Sequence, residues 1–362
     1  MKAAVLEAFN APLVIRDLEL AEPAAFEVVV RTAAVGVCHS DLLAWEGFRP
    51  AMPLPAVLGH EVAGVVDQVG TGVTDLAPGD HVVGSLAVFC GTCAQCVSGR
   101  QVLCQDTSVK QPPGQARRIR DGARHISQNY NLGAFAERLL VHRNALVKIR
   151  RDMPLDRAAL LGCAVTTGTG AVFRTAQVTP GSTVAVLGCG GVGLSAVNGA
   201  RIAGASVIVA IDMSPRKEEL ARRFGATHFV DASAGDVVTA VKSLTGGGVD
   251  YAFECIGTAM TVEQCWSMLQ PAGIATVLGA FGPTAKVSLG AADFLQEKQL
   301  RGSMLGSSRS SVDIPRLVEL YMQGRLMLDE LISQRIGLDG VNEALGLMKA
   351  GRGEIARSVI VF

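Results

Sequence analysis

Thr183-Val184-Ala185-Val186-Leu187-Gly188-Cys189-Gly190-Gly191-Val192-Gly193 runs from a short strand-like segment straight into spaced glycines. Val184 to Leu187 form an apolar, β-type run, and G-x-G-x-x-G follows before a helix-like stretch. In a chain with 41 glycines that spacing alone says little. Its surroundings say more, because Asp212 lies 19 residues beyond Gly193, at the end of the next apolar run, Val207 to Ile211. Each position then has a physical use. Gly188 permits a tight turn, Gly190 lets a pyrophosphate approach the backbone, and Gly193 lets the helix pack close to the strand. Gly191 and Val192 open a helix whose unpaired N–H groups face the phosphates. Asp212 would accept hydrogen bonds from ribose hydroxyls and repel a 2′-phosphate, which predicts NAD over NADP. Arg216 and Lys217 weaken that preference slightly, and Lys217 is a candidate to touch the ribose from the other side.

Outward from this loop the rhythm continues as strand and helix in alternation, with further β-like runs at Asp250 to Cys255 and Ala275 to Leu278. Ser214 and Pro215 mark a helix start just after Val207 to Ile211. Such alternation implies a parallel sheet covered on both faces, hence an α/β domain. Before about Ile149 the pattern differs, with short β-like runs such as Glu27 to Arg31 and Val62 to Val69 between Gly and Pro turns. After Met304, Ile314, Leu317, Val318 and Tyr321 recur at helical spacing, and Ser358 to Phe362 reads as a last strand. At 362 residues two domains are expected. The 33 basic and 33 acidic residues cancel, which argues against a nucleic-acid partner. Glycines break the longest charge-free run, Thr175 to Ala200, so no membrane span is expected. Nine cysteines, odd in number and clustered, point to a reducing compartment, and no signal-peptide core follows Met1. The cytoplasm is the expected location.

Cys90, Cys93, Cys96 and Cys104 fall as C-x2-C-x2-C-x7-C beside Gly91 and Gly99. Four soft sulfur donors at this spacing suit a closed tetrahedral zinc site with a structural role. An iron–sulfur cluster uses similar spacing. Elsewhere, Cys38 stands in Gly36-Val37-Cys38-His39-Ser40-Asp41, His60 in Gly59-His60-Glu61 and Cys163 in Leu161-Gly162-Cys163-Ala164. Singly, each is unremarkable. Together, two thiolates and one imidazole are a ligand set that leaves zinc a fourth position.

These motifs, with Gly79-Asp80-His81-Val82 and the glycine loop, occur in the order found in the zinc-dependent medium-chain alcohol dehydrogenases, which the chain resembles from end to end. The resemblance implies a GroES-like β-rich catalytic domain over 1–164 and 305–362, with a structural-zinc lobe at about 88–106. A Rossmann NAD-binding domain would occupy 165–304. It implies two zinc ions, a catalytic one on Cys38, His60 and Cys163 and a structural one on the four clustered cysteines, which removes the iron–sulfur alternative. It also implies that Ser40 takes the substrate proton, that Asp41 orients His60 and that Glu61 lies on the far side of the metal. His39 and Arg357 would lie by the pyrophosphate, and Thr167 and Val192 at the nicotinamide. Leu43 replaces a histidine that relays the proton in some relatives. Leu43, Trp45 and Leu86 would wall an apolar pocket for aliphatic or aryl primary alcohols, interconverted with aldehydes by hydride transfer to NAD. A glutathione- or other thiol-dependent formaldehyde dehydrogenase is the alternative, with Arg117-Arg118-Ile119-Arg120 as basic residues for an anionic adduct. A homodimer or homotetramer is expected, and a structural relative without activity is disfavoured by the complete ligand set.

Overall fold

The computed structural model describes residues 1–48, 50–110, 118–282, 284–351 and 356–362. The chain divides into two units, one of Met1–Cys163, Arg309–Met322 and Leu331–Phe362, the other of Ala164–Ser308 and Gln323–Glu330. The second takes more of the C-terminal region than the sequence suggested. Met327 N–H donates to Asn198 Oδ1 at 3.0 Å, and a Cβ on Gly170 would lie 2.6 Å from the Gly306 carbonyl oxygen, so both segments pack within the coenzyme-type unit.

The first unit is β-rich. Its larger sheet contains β1 (Glu27–Val37), β2 (Glu61–Val69), β3 (His81–Gly84), β4 (Arg138–His142) and β5 (Leu146–Lys148), joined by the C-terminal strands Ile332–Ile336 and Arg357–Val361. β1 is the hub: β2, β4 and Arg357–Val361 all pair with it antiparallel. Alternation along β1 and β2 puts Val28, Val30, Val35, Val62 and Val66 into one buried core with Leu58, Phe135 and Leu139. Each fully buried side chain of this size contributes about 1.5–3 kcal/mol. Helix α1 (His39–Trp45) leaves β1 directly.

The second unit opens with α2 (Ala164–Gly170) and is built on a six-stranded, wholly parallel sheet. Its strands are β6 (Thr183–Leu187), β7 (Val207–Asp212), β8 (His228–Asp231), β9 (Val249–Glu254), β10 (Leu269–Val277) and β11 (Gln299–Gly302). They lie in the order β8-β7-β6-β9-β10-β11. The chain winds outward from β6 in one direction and then from β9 in the other. The strand order therefore reverses between β6 and β9, whose C-terminal ends mark the crevice where such sheets bind ligands. Helices α3 (Gly191–Ala203), α4 (Glu218–Phe224), α5 (Val237–Thr245) and α6 (Ala259–Ser267) connect strands. The expected helix at Pro215 begins instead as a 3-10 turn, Pro215–Lys217, and the Ser214 side chain makes no cap. Helix α7 (Ser310–Met322) belongs to the first unit and buries Ile314, Leu317 and Val318 as its spacing predicted. Among the described residues no helix is long and apolar enough to cross a membrane.

Candidate metal centres and coenzyme loop

Sheet register builds the first centre. Gly36 lies opposite Glu61, and Ser358 opposite Val37, so the ends of β1, β2 and the last strand bring Cys38, His60, Glu61 and Arg357 together. Glycines make the space. A Cβ on Gly36 would overlap the Glu61 carboxylate, and one on Gly162 would lie 2.8 Å from the Gly84 carbonyl oxygen and 3.3 Å from the His60 carbonyl oxygen. Gly162 thus lets Cys163 approach. One ligand atom each from Cys38, His60, Glu61 and Cys163 falls within 4.8 Å of the others, all in buried residues.

Asp41 orders this cluster. It is completely buried, and its Oδ2 accepts the Cys38 N–H at 3.0 Å. Its Oδ1 accepts the Gly59 N–H at 3.0 Å and lies 3.0 Å from His60 Nδ1. Nδ1 is therefore taken, and Nε2 is left buried with no hydrogen-bond partner among the described residues. A buried polar atom left so is costly, and a carboxylate on the other ring nitrogen is the usual support of a metal-ligating histidine. Cys38 is held well below the usual thiol range, first by its hydrogen bond with Cys163 and also by Arg357, while burial opposes. Its bond with Cys38, together with burial, pushes Cys163 up. Burial disfavours charge on His60, but Asp41 and Cys163 outweigh it and raise the imidazole well above the ordinary value. A group that draws thiolate, imidazole and an open position together fits zinc.

The sequence did not reveal two neighbours of this centre. Arg357 Nη2 donates to Glu61 Oε1 at 3.1 Å and lies 3.7 Å from Cys38 Sγ, in a pair shut off from water. Tyr130 lays its ring 5.0 Å from that of His60, on a backbone with φ +53°.

At the second centre the sulfurs of Cys93 and Cys96 are 3.5 Å apart, Cys90 and Cys96 3.9 Å, and Cys93 and Cys104 3.9 Å. Sulfurs about 2.3 Å from one tetrahedral ion are about 3.8 Å apart, whereas a disulfide needs about 2.05 Å. The four thus form a metal cage. Backbone N–H groups of Thr92 and Cys93 point at Cys90 Sγ, at 3.4 and 3.2 Å, as donors to a thiolate would. Hydrogen bonds from the backbone lower Cys93 to about 6.

The glycine loop joins β6 to α3. Gly188 has φ +95°, and a Cβ on Gly193 would overlap the Gly188 carbonyl oxygen, so the close strand–helix approach requires glycine there. A Cβ on Gly190 would meet no protein atom within 4 Å, which leaves that side of the loop open. Asp212 accepts the N–H groups of Cys189 (2.8 Å) and Ser214 (3.0 Å) and pairs with Lys217 at 3.0 Å. Thr167 lies on α2, where a Cβ on the adjoining Gly168 would overlap the Val192 carbonyl, so Thr167 and Val192 share one locality. His39 is exposed at the start of α1, and Ser40 Oγ lies 3.8 Å from Cys38 Sγ. Cys189 is buried and its thiol pushed up to about 12, first by burial and then by Asp212.

Leu43 stands roughly 60° around α1 from Ser40, but Trp45 stands roughly 140° away. Its indole donates to the Ala11 carbonyl at 2.6 Å and its face carries the Lys349 ammonium at 4.8 Å. Leu43 and Leu86 are half-buried. In the basic stretch, Arg118 is buried and bound to Glu27 at 2.7 Å, which leaves it unavailable to an anion, and Arg117 lies outside the described residues.

Residues 24–151 match the alcohol dehydrogenase GroES-like domain, and residues 191–322 the zinc-binding dehydrogenase family. The class-3 alcohol dehydrogenase of Myxine glutinosa is 39% identical across 97% of this chain and 95% of its own. That of Drosophila melanogaster is 39% identical across 100% and 97%. An alcohol dehydrogenase zinc-binding domain protein from Burkholderia ambifaria superposes with TM-score 0.94 at 36% identity, covering 100% of this chain and 98% of that one. Benzyl alcohol dehydrogenase from Acinetobacter calcoaceticus gives 0.92 at 33% identity, covering 100% and 99%. With both domain families in order and relatives matched along their whole length, the chain belongs to the zinc-dependent medium-chain alcohol dehydrogenases, oxidoreductases that use NAD with a catalytic and a structural zinc.

Proposed function

We propose that this enzyme interconverts primary aliphatic or aryl alcohols and their aldehydes. The observation that carries the reading is the buried cluster of Cys38, His60 and Cys163, with His60 Nε2 left unpartnered beside two sulfurs. Bound there, zinc supplies a Lewis acid that lowers the pKa of a coordinated hydroxyl toward neutrality. The protein does the rest. Asp41 holds His60 by Nδ1, so the imidazole presents Nε2 as a neutral donor. With coenzyme bound, Ser40, beside Cys38, would accept the alcohol proton and would hand it to the ribose hydroxyls and onward to solvent, since Leu43 offers no relay. Arg357 balances Glu61 and keeps its remaining N–H groups for the pyrophosphate, together with His39. Thr167 and Val192 pack at the nicotinamide, and Asp212 with Lys217 holds the adenosine ribose. Cys90, Cys93, Cys96 and Cys104 keep the structural zinc. Leu43 and Leu86 make an apolar wall, which favours alkyl or benzyl groups over polyols. We place the enzyme in the cytoplasm as a homodimer or homotetramer.

The resemblance to class-3 alcohol dehydrogenases supports a second reading, a thiol-dependent formaldehyde dehydrogenase. Burial of Arg118 against Glu27 takes away one basic residue that this second reading could use, while Arg120 stays exposed. Steady-state kcat/KM for linear alcohols, benzyl alcohol and the glutathione–formaldehyde adduct separates them: the first reading expects benzyl or linear alcohols to exceed the adduct, and the reverse order overturns it. Cys163→Ala is expected to abolish turnover, lower zinc from two to one per chain and leave NADH binding intact. Full activity in that variant would end the assignment.

A further inference from the structure

Glu254 ends β9 with its side chain wholly removed from water. Its Oε1 accepts the backbone N–H groups of Ile256 (2.8 Å) and Gly257 (2.7 Å) and the Thr261 hydroxyl (2.8 Å). Its Oε2 accepts the Gly279 N–H at 3.2 Å. The donors come from three separate pieces of chain: the loop after β9, the loop after β10 and the first turn of α6. A buried carboxylate costs several kcal/mol unless donors compensate it, whereas an apolar side chain could fill a strand end without that cost.

What the charge organises lies beside the glycine loop. Gly257 has φ +101°, and a Cβ on Gly279 would overlap the Gly257 backbone and lie 2.6 Å from Glu254 Oε2, so the two loops meet main chain to main chain over the carboxylate. Ile256, whose N–H the carboxylate holds, is 48% exposed, and its Cγ1 lies 2.8 Å from where a Gly188 Cβ would stand. The loops so tied lie at the C-terminal ends of β9 and β10, the side of the sheet on which a dinucleotide binds.

We propose that Glu254 is a positioning residue for the coenzyme: through four hydrogen bonds it fixes Ile256, Gly257, Thr261 and Gly279 beside the glycine loop before NAD arrives. Ordering that is already in place is not charged against binding, so the residue acts on coenzyme affinity and not on the hydride-transfer step. A purely structural role would move stability and leave coenzyme affinity in the folded protein unchanged. The inference rests on the coenzyme reading of the glycine loop, which NADH binding by the unaltered enzyme tests separately.

The test is an NADH titration of the two-zinc enzyme and of Glu254→Gln, with zinc content and steady-state constants measured alongside. Glutamine keeps one acceptor oxygen and turns an NH2 group toward donors, and the expected result is an NADH Kd raised about tenfold. KM for NAD should rise with it, while kcat and zinc content hold. A Kd within about twofold of the unaltered enzyme overturns the proposal whatever the melting temperature does, and so does a weaker Kd accompanied by lost zinc or lower kcat. If the Gln variant does not fold, Thr261→Val removes one donor and keeps the carboxylate; a Kd raised about threefold with both zinc ions retained supports the proposal. An unchanged Kd in that variant overturns it.

Discussion

Asp41 serves three partners with two oxygens: the Cys38 N–H, the Gly59 N–H and His60 Nδ1. An amide in its place has one acceptor and one donor group, so one of the backbone donors must face an NH2, at a cost of about 1–3 kcal/mol. Asp41→Asn is therefore expected to lower affinity for the catalytic zinc about 10–100-fold while the four-cysteine zinc stays in place. Competition with a chromogenic chelator, read as one labile and one retained zinc, checks this; equal retention of both would contradict it. Asp41 was legible in the sequence because it lies within three residues of a ligand, in the same short motif. The pairing of Arg357 with Glu61 was not legible, for the opposite reason. The two are 296 residues apart, and only the pairing of the last strand with β1 brings them together. Tyr130 left no local pattern at all, since an aromatic ring against an imidazole depends on the path of a distant loop.

At the scale of elements, the centre depends on strand register, and Gly36 is where register and chemistry meet. It stands opposite Glu61 on β2, and its missing side chain is the space that the Glu61 carboxylate occupies. Gly36→Ala must push that carboxylate away from Arg357 or part the strands, and overpacking of this kind costs about 1–3 kcal/mol. We expect a lower melting temperature together with reduced turnover. Gly346→Ala is the matching control, because its Cβ would enter open space on helix Val341–Lys349 and should stabilise by roughly 0.5–1 kcal/mol. Equal effects at the two glycines would refute the register argument. Here too the sequence was partly readable. Apolar alternation located β2 and β6 to within a residue, but β1 continues through Thr32 to Val37 beyond the visible run, held by partners on both sides. The contacts of Trp45 with Ala11 and Lys349 were not readable, because periodicity gives the face of a helix only after one knows which face is covered.

For the molecule as a whole, the two-unit organisation was legible because each unit has its own period, short strands in one and strand–helix alternation in the other. The crossings of the chain near its C-terminus were not, since they depend on pairings such as Met327 with Asn198 and Ser310 with Ser85. Stability against acid is a property at this scale, and Asp80 is its clearest handle. Its carboxylate accepts from Lys148 at 2.7 Å and from the Ala77 N–H at 3.0 Å, with Arg151 at 3.6 Å, tying the turn before β3 to β5 and the segment after it. The Lys148 bond comes first among the causes that hold Asp80 below the usual carboxylate range, against the opposing effect of burial. A folded pKa below the unfolded one means that the unfolded chain binds more protons in acid, so this stabilisation is present above the unfolded value near 4 and disappears as pH falls through the folded one. Asp80→Asn should therefore lose about 1–3 kcal/mol at pH 7 and progressively less toward pH 3. Urea unfolding of the first unit at pH 7, 5 and 3, with Trp45 as reporter in a Trp266→Phe background, measures that gap. A gap that closes with acid is expected, and a gap constant from pH 7 to pH 3 would show that the charge of Asp80 is not what ties these segments together.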